Sequence, residues 1–329
     1  MISRRIIRVK VLQVLYAYSA DSANSMENAE KELFFSLKKT FDLYHYLLYL
    51  SVEVADYALS IMELHKRKNF PTEEDLNPNT MFVDNRIIGS LRSNKELNLY
   101  LEKNNFAWED NQKFIKNLYH TLLKTDLYKN YIASEKNNFS DDKTFIKLFF
   151  EEVVLQSEAL NELLEEKSIY WNDDLDFVTS MVIKTIKSFR EDSGDNFKIL
   201  PFFKDEDDKQ FARDLLGKSI MHHDELKEIL KNHTKNWDIE RIANIDNLIM
   251  ELAIIEFLYF PTIPTKVTLN EYIELSKYYS TEKSPVFING ILDKVAKNLK
   301  SENKIEKKGR GLIGEEKDKN ANANANLKL

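Results

Sequence analysis

The chain has 329 residues, of which 43% are hydrophobic and 31% charged, with a net charge of -7 and no cysteine. That length and apolar content suffice for a buried core, while the lack of cysteine excludes disulfides, thiolate metal sites and cysteine nucleophiles. Only 7 Gly and 6 Pro punctuate it, so an all-α fold is expected, and the negative balance excludes a surface that is basic throughout.

The N-terminus departs from that balance. Arg4, Arg5, Arg8 and Lys10 all precede the first acid, Asp21. On a helix, Ile7, Val11, Val14, Leu15 and Tyr18 would form the buried stripe, leaving Arg4 and Arg8 one turn apart on an outer face with Arg5 beside them. Two readings stand: a solvated helix start, or a phosphate-binding face that offsets the unfavourable meeting of cations with the helix dipole.

Apolar residues then recur at helical spacing from about residue 29 to about 66, at Leu33, Leu37, Phe41, Tyr44, Leu48, Val52, Ala55, Leu59 and Met62. This predicts one long amphipathic helix, broken by Asn69-Phe70-Pro71 and Asn77-Pro78. A polar stretch rich in Asn and Lys follows to about Asp142, with short helices expected around Leu97 to Leu101 and Phe114 to Leu123. Helical spacing returns at Phe145 to Leu160 and again at Leu175 to Phe189. The many Tyr and Phe of this region read as core in preference to a base-stacking platform.

Asp205 to Asp208 suit a helix N-terminus. His222-His223-Asp224 has two adjacent imidazoles but no third ligand at a metal-binding spacing, so no metal site is expected. From Trp237 the chain enters its most regular part. Ile242, Ile245, Ile249, Leu252, Ile255 and Tyr259 form one stripe, with Asp246 and Glu256 off it, and Pro261 and Pro264 end the helix. Thr268 with Glu271 has the form of a capping box opening a helix that buries Leu269, Tyr272, Ile273 and Tyr279. Ser284-Pro285 is a second start signal, for a helix whose core stripe would be Ile288, Ile291, Leu292, Val295 and Leu299. Along its flank Lys283, Phe287, Gly290 and Lys294 share one side. Glycine inside a helix implies close approach there, by a crossing helix, an RNA backbone or a partner chain. After Leu299 the composition becomes polar and repetitive, ending in alternating Ala and Asn, and disorder is expected over 301–329.

Three blocks of this sequence resemble the NusB family. The C-terminal one is Ile263-Pro264-Thr265-Lys266-Val267-Thr268-Leu269-Asn270-Glu271 followed by Phe287-Ile288-Asn289-Gly290-Ile291-Leu292-Asp293-Lys294. At the N-terminus the match is carried by Arg4, Arg5, Arg8, Gln13, Leu15 and Tyr16, and between them by Phe211 to Gly217, where the glycine comes one residue early. The resemblance implies two helical bundles, here with an additional helical insertion over about 40–170 that has no counterpart in the short family pattern. Expected domains are 1–200, an N-terminal bundle including the insertion, and 201–300, a NusB-like C-terminal bundle. It also implies a cytoplasmic transcription antitermination factor, not an enzyme, that binds boxA RNA of ribosomal RNA leaders. The implied partners are NusE, a ribosomal small-subunit protein, and the RNA polymerase antitermination complex. By resemblance the RNA contacts would be Arg4, Arg5 and Arg8, with Gln13 and Tyr16 as weaker ones and Lys277, Phe287, Asn289 and Lys294 as a second group. Lys283 replaces a residue that is often acidic in the family and adds positive charge beside them. Arginine suits the task because its planar fork pairs with phosphate or a guanine edge through two hydrogen bonds. Glu251 stands where the family commonly has arginine, which would alter an internal ion pair.

No Gly-rich phosphate loop, G-x-S-x-G elbow, H-E-x-x-H or dinucleotide fingerprint occurs, and no cofactor is expected. An RNA cytosine methyltransferase, a class in which NusB-like domains also occur, would need a cysteine nucleophile that this chain lacks. An interaction module that binds protein but no RNA, and an accessory role in ribosomal RNA modification, are the alternatives. Glu53 and Asp56, and Glu251 and Glu256, interrupt the longest apolar runs, so no membrane span is expected.

Overall fold

The computed structural model describes residues 1–20, 25–134, 138–192, 197–234 and 242–313. Trp237, and the part of the expected tail from 314 to 329, lie outside the described residues. The described secondary structure is helical: α1 (Arg4–Ala20), α2 (Met26–Lys66), α3 (Glu73–Leu76), α4 (Arg86–Ser93), α5 (Lys95–Asn104), α6 (Gln112–Lys124), α7 (Asp126–Ile132), α8 (Phe139–Leu148), α9 (Glu158–Lys167), α10 (Leu175–Ser188), α11 (Glu206–Met221), α12 (His223–His233), α13 (Asn244–Tyr259), α14 (Thr265–Tyr279) and α15 (Ser284–Ser301). An isolated parallel bridge joins Ile2 to Phe203, and no strand occurs among the described residues. No described helix is long and apolar enough to cross a membrane.

The chain divides into two units, one of Lys38–Phe202 with Met1, and one of Ile2–Leu37 with Phe203–Leu329. They are called here the central and the terminal unit.

In the central unit α2 supplies the axis. Its middle is apolar on nearly every side, and Leu43, Tyr44, Tyr46, Leu47, Leu48, Leu50, Val52, Val54 and Ala55 are all buried. Such a helix must be surrounded by others, and α4, α5, α6, α9 and α10 each reach it, through Arg92 on Asp56, Tyr100 on His45, Tyr119 on Tyr57, Lys167 over Tyr46 and Thr185 on Tyr44. A polar network ties the chain leading into α4 to α7 and α8. Asn85 accepts from the amides of Ile87 and Ile88 as the cap of α4, and donates to the Tyr131 hydroxyl at 2.9 Å and to the Asp142 carbonyl. The buried Asp142 carboxylate accepts from Tyr131 at 2.7 Å and from Arg86 Nε at 2.6 Å. Asn85, Tyr131 and Asp142 are thereby each paired within this network, as a dry interior demands.

His45 is fully buried on α2, stacked on Tyr100 with ring centroids 3.6 Å apart, and its Nδ1 lies 2.8 Å from the Phe41 carbonyl.

The terminal unit is built around α13. The sequence stripe understated its burial: Leu248 to Phe257 is buried without interruption, because α1, α11, α12, α14 and α15 all pack on it. Asp246 and Glu256, which the periodicity left off the stripe, are therefore inside together with Glu251, at 5%, 0% and 3% exposure. Buried carboxylates need partners, and each has one: Ser284 Oγ donates to Asp246 at 2.8 Å, His223 Nδ1 lies 2.9 Å from Glu251, and Arg8 pairs with Glu256. Burial pushes the Glu251 carboxyl up, against the pull of His223.

The expected capping box at Thr268 and Glu271 does not form. The helix starts a turn earlier, at Thr265, and both side chains turn inward to polar partners, Thr268 to Glu256 and Glu271 to Arg8. Leu269, Ile273 and Tyr279 are only partly buried in consequence. The start at Ser284, and the buried stripe of Ile288, Ile291, Leu292, Val295 and Leu299, are present as expected. Asp205 caps α11 by accepting from the Asp208 amide, and Arg213 pairs with Glu30 while lying over the Phe34 ring.

Residues 301–313, within the stretch whose composition suggested disorder, lie against the α13–α14 turn. Lys307 donates to the Phe260 carbonyl at 3.1 Å, Lys308 N–H donates to the Pro261 carbonyl at 2.9 Å, and Gly311 comes so close to that carbonyl that a Cβ would sit 2.0 Å from it. Lysine at the C-terminal end of a helix satisfies orphan carbonyls and meets the favourable end of the dipole.

Burial depresses the His45 pKa from its usual 6.5 to about 4. Its neutral ring thus contributes stability that is fully present above pH 6.5 and lost as pH falls towards 4, amounting to roughly 3 kcal/mol by pH 4. Denaturant unfolding of wild type and His45→Phe across that range should show the wild type losing more stability by about that amount.

Candidate nucleic-acid interface

The arginines of α1 separate into three environments. Arg8 is buried at 3% exposure, and its Nε donates to Glu256 Oε2 and its Nη2 to Oε1, both at 2.8 Å, a forked pair inside the terminal unit. Nη1 reaches Glu271 at 3.4 Å. Thr268 Oγ1 at 2.7 Å and Tyr272 OH at 3.3 Å donate to the same Glu256 carboxylate. Burial works against the charged guanidinium, but the Glu256 charge and hydrogen bonds outweigh it and hold Arg8 above the ordinary arginine range. Spacing alone had placed Arg8 beside Arg4 on an outer face. The structure corrects this, because α14 covers that side of α1 and presents Glu271 and Tyr272 to it.

Arg4 lies at the edge of the same packing. It donates to Asp208 at 2.9 Å and sits 5.0 Å from the centroid of the Phe211 ring, with Arg8 5.4 Å from the same ring. Its side chain keeps 36% exposure. Arg5 is exposed, with no hydrogen bond or ion pair to a described residue. Its charge reaches Glu274, whose carboxyl is held below the usual range by the Lys277 hydrogen bond first and by the Lys277 and Arg5 charges after it.

The other candidates follow the α14–α15 hairpin. Gln13 Nε2 donates to the Tyr279 hydroxyl at 3.3 Å, tying the middle of α1 to the end of α14, and Tyr16 lies one turn further at 51% exposure. Lys277 is exposed and pairs with Glu274. Lys283 occupies the turn before α15, and Phe287, Gly290 and Lys294 continue its line along the helix. Lys283, Asn289 and Lys294 are exposed, while Phe287 is half-buried. At Gly290 a Cβ would meet nothing within 4 Å. The expected helix crossing is therefore absent among the described residues, and bare backbone faces outward between Phe287 and Lys294.

Arg5 and Lys277 thus lie near Glu274, Lys283 and Lys294 lie along one side of α15, and Asn289 is exposed on a different face of that helix. Arg8 belongs to the core and Arg4 to its rim. Periodicity missed the Glu256 cluster, although a signal was present: an acid inside the apolar run Leu252 to Tyr259 has to find a buried cation. His222 meets Glu225 and Tyr259, and among the described residues no group of three or more His, Cys, Asp or Glu could hold a metal.

The NusB family model matches residues 178–297. The transcription antitermination protein NusB of Salinibacter ruber is 36% identical over 139 residues, spanning 40% of this chain and 87% of that protein. The chain belongs to the NusB family. The NusB proteins of Chloroherpeton thalassium and Myxococcus xanthus are 40% identical over 105 residues and 41% over 93, covering 32% and 28% of this chain and 50% and 66% of theirs. No solved structure matches. The family match covers Glu256 and its partners Thr268, Glu271 and Tyr272, while Arg8, on α1, lies outside the matched residues.

Removing the Arg8 side chain leaves Glu256 buried and unpaired, a change that costs about 3–5 kcal/mol. Arg8→Ala should lower the denaturation midpoint accordingly, whereas Arg5→Ala should stay within about 0.5 kcal/mol of wild type. Equal effects in equilibrium unfolding would show that Arg8 carries no such role.

Proposed function

We propose that this chain is a cytoplasmic transcription antitermination factor that binds boxA-like RNA together with NusE through exposed side chains of α1, α14 and α15. The observation that carries the reading is the set of exposed cations with no ion pair to a described residue, Arg5 on α1 and Lys283 and Lys294 on α15, the last two on either side of the open backbone at Gly290. Single-stranded RNA recognition needs mobile cations for phosphates and aromatic faces for bases, and Tyr16 on α1 and Phe287 on α15 are aromatic side chains on the same two helices as these cations. Family membership and the names of the relatives support the same reading. In this assignment Arg5, Lys277, Lys283 and Lys294 meet phosphate, Asn289, Gln13, Tyr16 and Phe287 meet bases or sugar, and Arg4 contributes from the rim. Arg8 acts by holding α1 in place. The role is stoichiometric: the protein positions RNA and NusE near RNA polymerase and catalyses nothing.

Tyr278 and Val286, exposed at 75% and 79%, are apolar side chains on the same hairpin. They favour a protein contact there, which is NusE in this proposal and would be the sole ligand of a module that binds no RNA.

Fluorescence anisotropy of a labelled boxA RNA from a ribosomal leader, with and without NusE, separates the two. Saturable binding that NusE tightens, and that Arg5→Ala/Lys283→Ala/Lys294→Ala weakens about tenfold or more, is expected. Its log-log salt slope should have magnitude roughly 2, for about three phosphate contacts. If wild type with NusE fails to bind, or the triple variant binds as wild type does, the RNA assignment is wrong.

A further inference from the structure

The central unit carries a cavity of about 390 Å³ that the RNA reading leaves unused. Its floor is aromatic. Tyr46 is stacked on Trp108 with centroids 3.9 Å apart and planes at 11°, and lies 5.8 Å from Trp171. The two indole N–H groups donate to the backbone carbonyls of Tyr46 and Lys39 on α2, so the rings are fixed in place. Phe106 closes one side, 6.2 Å from Tyr46 and 6.3 Å from Trp171. It is brought there by Asn105, whose φ of 53° turns the chain at the end of α5.

What sits over this floor is a cation. The Lys167 ammonium lies 5.5 Å from the centroid of Tyr46. Aromatic faces attract cations through the ring quadrupole, and the arrangement shows that an ammonium fits at this opening. The surroundings ask for more positive charge than Lys167 supplies. Glu109 and Asp110 line the cavity without an ion pair to any described residue, and Lys39, the other lining cation, lies 3.8 Å from Asp42. Burial and the charges of Asp56 and Glu109 push the Glu53 carboxyl up, a sign of crowding among like charges beside the cavity. From residue 151 to 176 the chain holds nine acids and a single base, Lys167. Glu158, Glu162, Glu165 and Glu166 are exposed along α9, which leads into the cavity through Lys167.

We infer that this cavity is a docking site for a basic protein segment, one of whose lysine or arginine side chains takes the position over Tyr46 now held by Lys167, while α9 receives its other cations. The carboxylates set the class of ligand. They repel a phosphate backbone as strongly as they attract a basic peptide, so the aromatic floor serves a cation and not a nucleobase. Lys167, on the last turn of α9, acts as an internal competitor: a partner must displace it to enter. The site stands apart from the RNA assignment, since its residues all belong to the central unit and none is among the proposed RNA contacts.

The test uses the full chain and a short peptide of lysines spaced by glycine and serine, with its fully acetylated counterpart as the neutral control. Titration is followed by tryptophan fluorescence and calorimetry, with circular dichroism checking that each variant stays helical. The lysine peptide should bind saturably and the acetylated one should not. Glu109→Gln/Asp110→Asn and Phe106→Ala should each weaken it by about fivefold or more, and Lys167→Ala should tighten it beyond the effect of Lys147→Ala, which removes a like charge outside the cavity. Equal responses of Lys167→Ala and Lys147→Ala, or wild-type affinity in the carboxamide double variant, would show unspecific charge attraction and overturn the site. So would a single-stranded oligonucleotide that binds in competition with the peptide and loses affinity in Phe106→Ala.

Discussion

The terminal unit depends on one carboxylate. Glu256 lies in the most buried helix of that unit, and no water reaches it. A charge in that position is tolerable only when it is met on every side, and four groups from two other helices meet it: Nε and Nη2 of Arg8, the Thr268 hydroxyl and the Tyr272 phenol. Tyr272 is itself held well above the ordinary phenol range, by burial first and by the neighbouring Glu256 charge after it. Since the partners come from α1 and α14, the cluster fixes both helices against α13. Such a network adds little net stability over an apolar core, but it admits few alternative packings, because every misplacement leaves a charge unpaired.

That constraint explains the division of labour on α1. A helix with a cationic start would ordinarily be poorly placed by its dipole, yet Arg8 is neutralised by Glu256 and Arg4 by Asp208 at the start of α11. Arg5 remains as the exposed charge. The three arginines read alike in sequence and differ completely in environment, and it is the packing of α14 that distinguishes them.

Much of the helical architecture was legible from spacing. The long α2, the break at Asn69-Phe70-Pro71, the helices near Leu97 and Phe114, the start at Ser284 and the stripe of α15 all follow from local signals that the tertiary structure leaves intact. Where legibility failed, tertiary packing had claimed a residue that local rules assign elsewhere. Thr268 and Glu271 have the spacing of a capping box, but a carboxylate and a cation in the core outbid the two backbone donors of a helix start. Arg8 has the spacing of a surface residue, and Asp246 that of a solvated one, yet both are buried because helices distant in sequence close over them. Gly290 signalled close approach, and only three-dimensional structure could show that no described helix makes it. The cavity at Tyr46 was beyond reach for a similar reason: Tyr46, Phe106, Trp108 and Trp171 come from three separated segments, and aromatic richness by itself points to core.

The strand of chain after α15 deserves a different kind of reading from its composition. Its order comes from contacts that consume almost no apolar surface: an ammonium on the last carbonyls of α13, an amide on Pro261, and a glycine where no side chain fits. Hydropathy is blind to all three. A protein trimmed at Leu299, to the end of the recognisable family motif, would leave the C-terminal end of its most buried helix without the lysine that covers it. The practical boundary of the folded unit thus lies beyond the boundary that the motif marks, at least as far as Ile313.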